Sequence, residues 1–260
     1  MRMDDRELRE LLEREAGRVC RPEFALSDPV QFPRRFTSLP DVEVVSLLVA
    51  AIAWGNRKMI CRDAERLLEL MEGQPAAWMM DGAWEAVPDE LNIHRTFFGR
   101  NLKHALRGLR EVYGRHGSLD AYSAVIGAGD TAAPAWTLVE HLNADIAAAN
   151  GGTCDSRFLP SNLRTSALKR VNMALRWLVR DDGIVDMGLW HSIRPSQLFI
   201  PLDVHVGNTA HSLGLTSRHQ ADRRTTVEIT DVLRRLRPDD PIYYDYALFG
   251  LGIDPNIKSD

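Results

Sequence analysis

The residues of this chain best suited to chemistry lie in its second half. Asp203 stands in the segment Ile200-Pro201-Leu202-Asp203-Val204-His205-Val206, where a proline-broken extended stretch gives way to a helical pattern. A carboxylate at a helix N-terminus faces free N–H groups and the positive end of the helix dipole, which favour its negative charge. The same arrangement is an ordinary helix cap. A fixed anion can serve both ends, because capping and catalysis ask the same of it. Lys169 lies upstream in TSALKRVNMALRWLVRDDG. At helical spacing Leu168, Val171, Leu175 and Leu178 share one side, and Lys169, Asn172, Met173 and Arg176 the other. An amine attacks carbon only when deprotonated, and the like charges of Arg170 and Arg176 are placed to lower the Lys169 pKa. The plain alternative is a solvated surface lysine. Met173 on a polar stripe needs a partner, either a neighbouring element or a planar ligand. Asp245 and Phe249, one turn apart near the C-terminus, offer a hydrogen-bond acceptor and a stacking ring on one face. Their plain alternatives are a surface charge and a core ring. Asp203, His205 and His211 are metal-ligating types, but residues i and i+2 point apart on a helix. No other His/Asp cluster has ligand spacing, so neither a metal nor another cofactor is expected.

The elements that must hold these groups are helical. Residues 4–17 read as a charged helix with Leu8, Leu11 and Leu12 on one stripe. The segment from Pro22 to Pro40 is rich in Pro, Phe and Arg and reads as irregular. Asp41 opens a strongly apolar helix that stops at Gly55, and Asn56-Arg57-Lys58 begins the next. Residues 74–95 read as short helices and loops, and Phe97 to Arg115 as an amphipathic helix with a basic outer face. Further helices are expected over 118–127 and 133–149. The Lys169 helix is expected to start near Thr165 or Ser166, both good caps. A long connection from Asp181 to Leu202 leads to the Asp203 helix, which ends near Gly214. Asp222–Arg237 reads as a polar amphipathic helix, and Pro241 opens the last one. No strand run is evident, so the class is all-α, in a single unit spanning residues 1–260.

Composition bounds the function. The 260 residues are 45% hydrophobic and 26% charged, which is ordinary for a globular protein. Three dispersed cysteines without a CxxC pair suggest neither a zinc ribbon nor an iron–sulfur cluster and fit a reducing compartment. The N-terminus is charged and helical rather than a secretion signal. No apolar run approaches a membrane span. A cytoplasmic protein without a membrane partner is expected. The net charge of −4 argues mildly against nucleic-acid binding, but the stretch holding Arg157, Arg164, Lys169, Arg170, Arg176 and Arg180 is locally basic.

The order of these segments resembles the helix–hairpin–helix DNA glycosylase superfamily over roughly Asp41 to Ile253, and most closely its 8-oxoguanine DNA glycosylase/AP lyase branches, the archaeal one included. The chain also looks like a member of an uncharacterised bacterial family marked by an LKRxNMxLRWxVR-like helix and a PLDVH segment. Pro201-Leu202-Asp203-Val204-His205 is similar to the segment that carries the catalytic aspartate and a phosphate-binding histidine. Ala167-Leu168-Lys169 to Met173 resembles the helix of the Schiff-base lysine. Asp245-Tyr246-Ala247-Leu248-Phe249 resembles the last helix, where a polar residue reads the flipped base and an aromatic stacks on it. Leu159 to Thr165 replaces the usual glycine hairpin, a departure that bears on the hairpin's phosphate contacts.

The resemblance implies a two-lobed helical bundle with a degenerate hairpin and an active site in the cleft between the lobes. It implies a monomer acting on double-stranded DNA that contains an oxidised base. Lys169 and Asp203 would be catalytic; Met173, Asp245 and Phe249 would bind the base. His205, Asn56, Arg57, Arg170 and Arg176 would contact DNA, with Asn56 facing the estranged partner base. A non-catalytic DNA-binding module of the same fold is the alternative, and a metal-dependent hydrolase using Asp203, His205 and His211 a more distant one.

Overall fold

A computed structural model of the chain describes residues 3–253. Its first helix, α1 (Asp5–Val19), opens with a capping box: the Asp4 side chain accepts from the Glu7 N–H, and the Glu7 side chain from the Asp4 N–H. The Pro- and Phe-rich segment that follows is not irregular. It holds α2 (Pro22–Ser27) and two 3-10 turns, Pro29–Gln31 and Pro33–Arg35, each with proline in its first turn, where the missing N–H costs nothing.

The apolar helix α3 (Leu39–Ile52) starts slightly before Asp41, because Ser38 accepts from the Asp41 N–H and supplies the cap. It is buried continuously from Val42 to Ile52. As expected, a short turn leads to α4 (Arg57–Leu70), followed by α5 (Pro75–Asp81). A small antiparallel hairpin then appears where no strand was expected: β1 (Asn92–His94) and β2 (Phe97–Phe98). Strands this short carry no readable alternation. The chain continues through α6 (Gly99–His116), α7 (Leu119–Val125) and α8 (Pro134–Ala149). After a long loop come α9 (Lys169–Val179), α10 (Val204–Ser212), α11 (Arg223–Leu236) and α12 (Asp245–Ile253). Pro241 opens a 3-10 turn, Pro241–Tyr244, ahead of α12 rather than the helix itself. The class is all-α.

The helix carrying Lys169 begins at that lysine, not at Thr165 or Ser166. Those residues serve a different purpose. The Thr165 carbonyl accepts from the Arg223 N–H at 2.8 Å, which ties the loop to the start of α11. The Ser166 hydroxyl accepts from the Leu168 N–H at 3.2 Å, and its carbonyl accepts from the Trp136 indole. Leu168 then takes a left-handed conformation, φ +50°, that a leucine adopts only under constraint. The Asn172 amide, buried beneath, donates to the Ala167 carbonyl and holds this bend.

One continuous hydrophobic core joins these helices. α9 packs on α3, α1 on α12, α6 on α8, and α10 on α12. Gly250 allows the α1–α12 approach, since a Cβ there would sit 2.5 Å from a Val19 methyl. α9 is enclosed all round from Val171 to Val179, so the polar stripe expected on it faces protein, not solvent.

Glu43, buried on α3, satisfies the first two N–H groups of α7 at 2.8 and 2.9 Å and accepts from the Tyr113 hydroxyl at 3.0 Å. Glu43→Leu strands these donors and is expected to cost about 2–5 kcal/mol in urea unfolding. Burial, opposed by these hydrogen bonds, pushes the Glu43 carboxyl up to about 7. Since the folded value exceeds the unfolded one, its linked contribution to stability is full below the ordinary carboxylate range. It is lost as pH rises through 7, and the leucine variant should lack that slope.

Candidate active site

A cavity of about 780 Å³ opens where α2, the α3–α4 turn, α9, the start of α10 and α12 meet. Lys169, Met173, Asp203, Asp245 and Phe249, chosen from separate segments of sequence, all line it. Lys169 is the first residue of α9, so its amine lies at the positive end of that helix dipole, which disfavours a cation. Its Nζ donates to the Ala53 carbonyl at 3.3 Å and lies 3.6 Å from the Met173 sulfur. Among the described residues it forms no ion pair. Burial lowers its pKa, and the charges of Asp203, Asp28 and Asp245 work against that. The sequence attributed this depression to Arg170 and Arg176. Burial is the main cause, Arg176 ranks behind the three carboxylates, and Arg170 is not among the leading causes. Four of the 32 basic residues are lysines, namely Lys58, Lys103, Lys169 and Lys258. Lysine at the cavity in so arginine-rich a chain is a sequence signal left unused, because a guanidinium is no nucleophile.

Asp203 caps α10, its Oδ1 accepting from the Val206 N–H at 3.0 Å, and its side chain reaches the cavity. His205 beside it is exposed at the rim. Asp245 is not a surface charge. It is 5% exposed, and its Oδ2 accepts from Arg176. Burial pushes its carboxyl up to about 6 despite Arg176, with Asp203 and Asp186 adding to the rise. Phe249 is half-buried and meets Phe24 edge-on, ring centroids 5.8 Å apart.

The arginines and Asn56 behave differently from expectation. Arg176 does not contact solvent phosphate: it is buried, paired with Asp245 and Asp186, and lies 4.6 Å over the Tyr246 ring. Arg170 is committed to the Ala51 and Arg157 carbonyls. Arg176 is thus engaged within the protein, while Arg170 uses Nη1 alone for its two carbonyls. Arg57 covers the Phe249 ring at 5.1 Å and approaches Asp28 at 3.9 Å. Asn56 spends its amide oxygen on capping α4, where it accepts from the Lys58 and Met59 N–H groups.

The N-terminal segment supplies a wall that the sequence did not reveal. Phe24 and Asp28 line the cavity from α2 and the turn after it. Asp28 is held by the Val30 N–H at 3.1 Å. Its place before a proline is a cap signature, and nothing in the local pattern marks it as a cavity residue. Trp54 adds a further wall, with its carbonyl bound to buried His94.

The chain belongs to the family described as "Protein of unknown function (DUF2400)", whose model matches residues 28–254. No curated protein and no solved structure matches the chain. The family match spans every charged residue of the cavity from Asp28 to Asp245, and leaves Phe24 just outside.

Chemically, the cavity pairs a desolvated amine with a fixed carboxylate and places a second, buried carboxylate and an aromatic ring behind them. Such a set can attack an electrophilic carbon and stabilise positive charge beside it. Among the described residues no three His, Cys, Asp or Glu side chains gather as metal ligands, and the His211 ring packs on His219. No described helix is long and apolar enough to cross a membrane.

With four lysines, reductive ¹³C-methylation allows each to be titrated by NMR. Lys169 should titrate below the ordinary lysine range, and Asp203→Asn should lower it further by removing the largest charge that holds its proton. An unshifted Lys169 would contradict the desolvated amine.

Proposed function

We propose that this protein is a DNA glycosylase with AP-lyase activity that excises an oxidised purine, such as 8-oxoguanine, from double-stranded DNA. The supporting observation is the convergence of Lys169, Asp203, Met173, Asp245 and Phe249 on one cavity. The fold would be the two-lobed arrangement of the helix–hairpin–helix glycosylases, with this cavity as the cleft. A base inside a duplex cannot be reached, so the target nucleotide must leave the stack and enter the cavity. The neutral Lys169 amine attacks the sugar C1′ as the bond to the base breaks, and the departing base takes up a proton. Asp203 stabilises the positive charge that builds on the sugar. The sugar ring opens to an imine on Lys169; loss of a C2′ proton then expels the 3′ phosphate and cuts the strand.

Asp245 reads the base. 8-Oxoguanine carries a proton on N7 where guanine has a lone pair, and an ionised carboxylate accepts from the first and repels the second. Arg176 holds Asp245 in place for this. Met173 and Phe249 sandwich the ring, for which Arg57 must move off the Phe249 face it now covers. That cover favours a second reading, a module of the same fold that binds DNA without cutting it.

Duplexes carrying one 8-oxoguanine or one abasic site separate the two. Base release and strand cutting are expected from the native chain. Lys169→Gln should abolish cutting, and Asp203→Asn should slow excision by about 10²–10³-fold. Because Asp245 accepts fully only when ionised, excision should rise as pH climbs through about 6. Full cutting by Lys169→Gln would overturn the lyase assignment. Salt-sensitive binding with no product on any lesion would establish the non-catalytic module.

A further inference from the structure

A second, smaller cleft of about 280 Å³ adjoins the main cavity and shares Trp54 and Arg170 with it. Its remaining walls come from the end of the β1–β2 hairpin, Thr96 and Phe97, and from Ser156 and Arg157. Among the described residues no carboxylate lines it. Asp155, two residues from Arg157, has both oxygens occupied: Oδ1 accepts from the Arg157 N–H at 2.8 Å and Oδ2 from the Asn101 amide at 2.6 Å. Among the described residues neither Arg95 nor Arg157 forms an ion pair, unlike Arg62, Arg100 and Arg107 nearby.

These two exposed arginines are nevertheless held in place. Arg157 donates to the Thr96 hydroxyl at 3.2 Å. The Arg95 guanidinium lies over the Trp54 ring, its carbon 4.4 Å from the ring centroid. Trp54 is fixed in turn by His94, which bonds its carbonyl at 2.9 Å, meets its ring edge-on and is itself anchored to Asp63 at 2.7 Å. Gly55, at φ +101°, completes the shelf, since a Cβ there would sit 2.5 Å from Arg95 Nη1. Beneath, Arg170 donates from Nη1 to two carbonyls and adds its charge. An exposed guanidinium held over an aromatic ring is already partly immobilised, so it can meet phosphate oxygens at little further entropic cost. The Trp54 face is already covered by Arg95, so a base has no platform there.

We infer that the cleft between Trp54 and the β1–β2 hairpin is a phosphodiester-binding subsite, in which Arg157, which lines it, and Arg95, which lies over its Trp54 wall, hold the nucleic-acid strand beside the nucleotide that enters the main cavity. The inference rests on the nucleic-acid reading of that cavity. The shared Trp54 and Arg170 wall favours a phosphate of the same strand over free phosphate.

Binding to a duplex with a stable abasic-site analogue, measured across salt concentrations, tests it. Arg95→Ala and Arg157→Ala should each weaken binding about ten-fold and flatten the log–log salt slope by about one unit. Arg110→Ala, in a separate cleft on α6, should change neither. Both substituted side chains are exposed, and a thermal melt of each variant, with Arg157→Glu as a charge-reversed second variant, verifies folding. Native affinity and slope in folded Arg95 and Arg157 variants would overturn the subsite. So would pyrophosphate binding as tight as that of the duplex and lost in the same variants, because the cleft would then take free phosphate. Borohydride trapping by the native chain, run in parallel, reports on the glycosylase reading separately. Arginine-dependent slopes without trapping would sink the lyase chemistry and leave the subsite standing.

Discussion

Arg176 is the buried charge on which the geometry of the cavity depends. Its guanidinium reaches from α9 to Asp245 on α12 and to Asp186 in the loop that follows α9, and lies over the Tyr246 ring. Arg180, one turn on, joins Asp186, Asp182 and Asp240. A charge removed from water is tolerable only when its partners are present, so the network fixes α9 and α12 relative to each other. Lys169 and Met173 ride on one of these helices, Asp245 and Phe249 on the other. Both the amine and the proposed base-reading carboxylate are thus positioned by one interaction behind the cavity wall.

The front of the cavity is built on a different principle. Among the described residues Lys169 has no carboxylate bonded to it, only a carbonyl and a thioether. Three carboxylates, Asp203, Asp28 and Asp245, act on it through space and only partly offset the burial that lowers its pKa. An amine held this way is closer to neutrality than one in a salt bridge, and a bonded carboxylate would keep it protonated. Asp203 can remain near because its own oxygen is engaged by the Val206 N–H. The strained Leu168 bend places the amine at the first turn of α9, where the dipole adds to the same effect.

Helix order was legible because long apolar stripes, Pro and Gly punctuate it: α1, α3, α4, α6, α8 and α11 lie close to where periodicity puts them. The convergence of five spaced residues was legible through resemblance and order rather than through any local pattern. What stayed hidden depended on contacts between distant segments. Thr165 and Ser166 look like caps, yet the Ser166 hydroxyl bonds the Leu168 N–H ahead of the helix, and the two carbonyls are taken by α11 and Trp136. Arg170 and Arg176 look like surface cations, yet one is bound to carbonyls and the other lies in a buried ion network. Phe24 and Asp28 sit in a Pro-rich stretch that carries no periodic signal, and only the fold brings them to the cavity.

The central claim is that the Lys169 amine forms a covalent imine with a DNA sugar. Borohydride reduction of the native chain mixed with duplex containing an abasic site or 8-oxoguanine, followed by mass mapping of the cross-linked peptide, tests it most directly. A nucleotide adduct on Lys169 is the predicted result. No adduct, or an adduct on another amine such as Lys58, would contradict it.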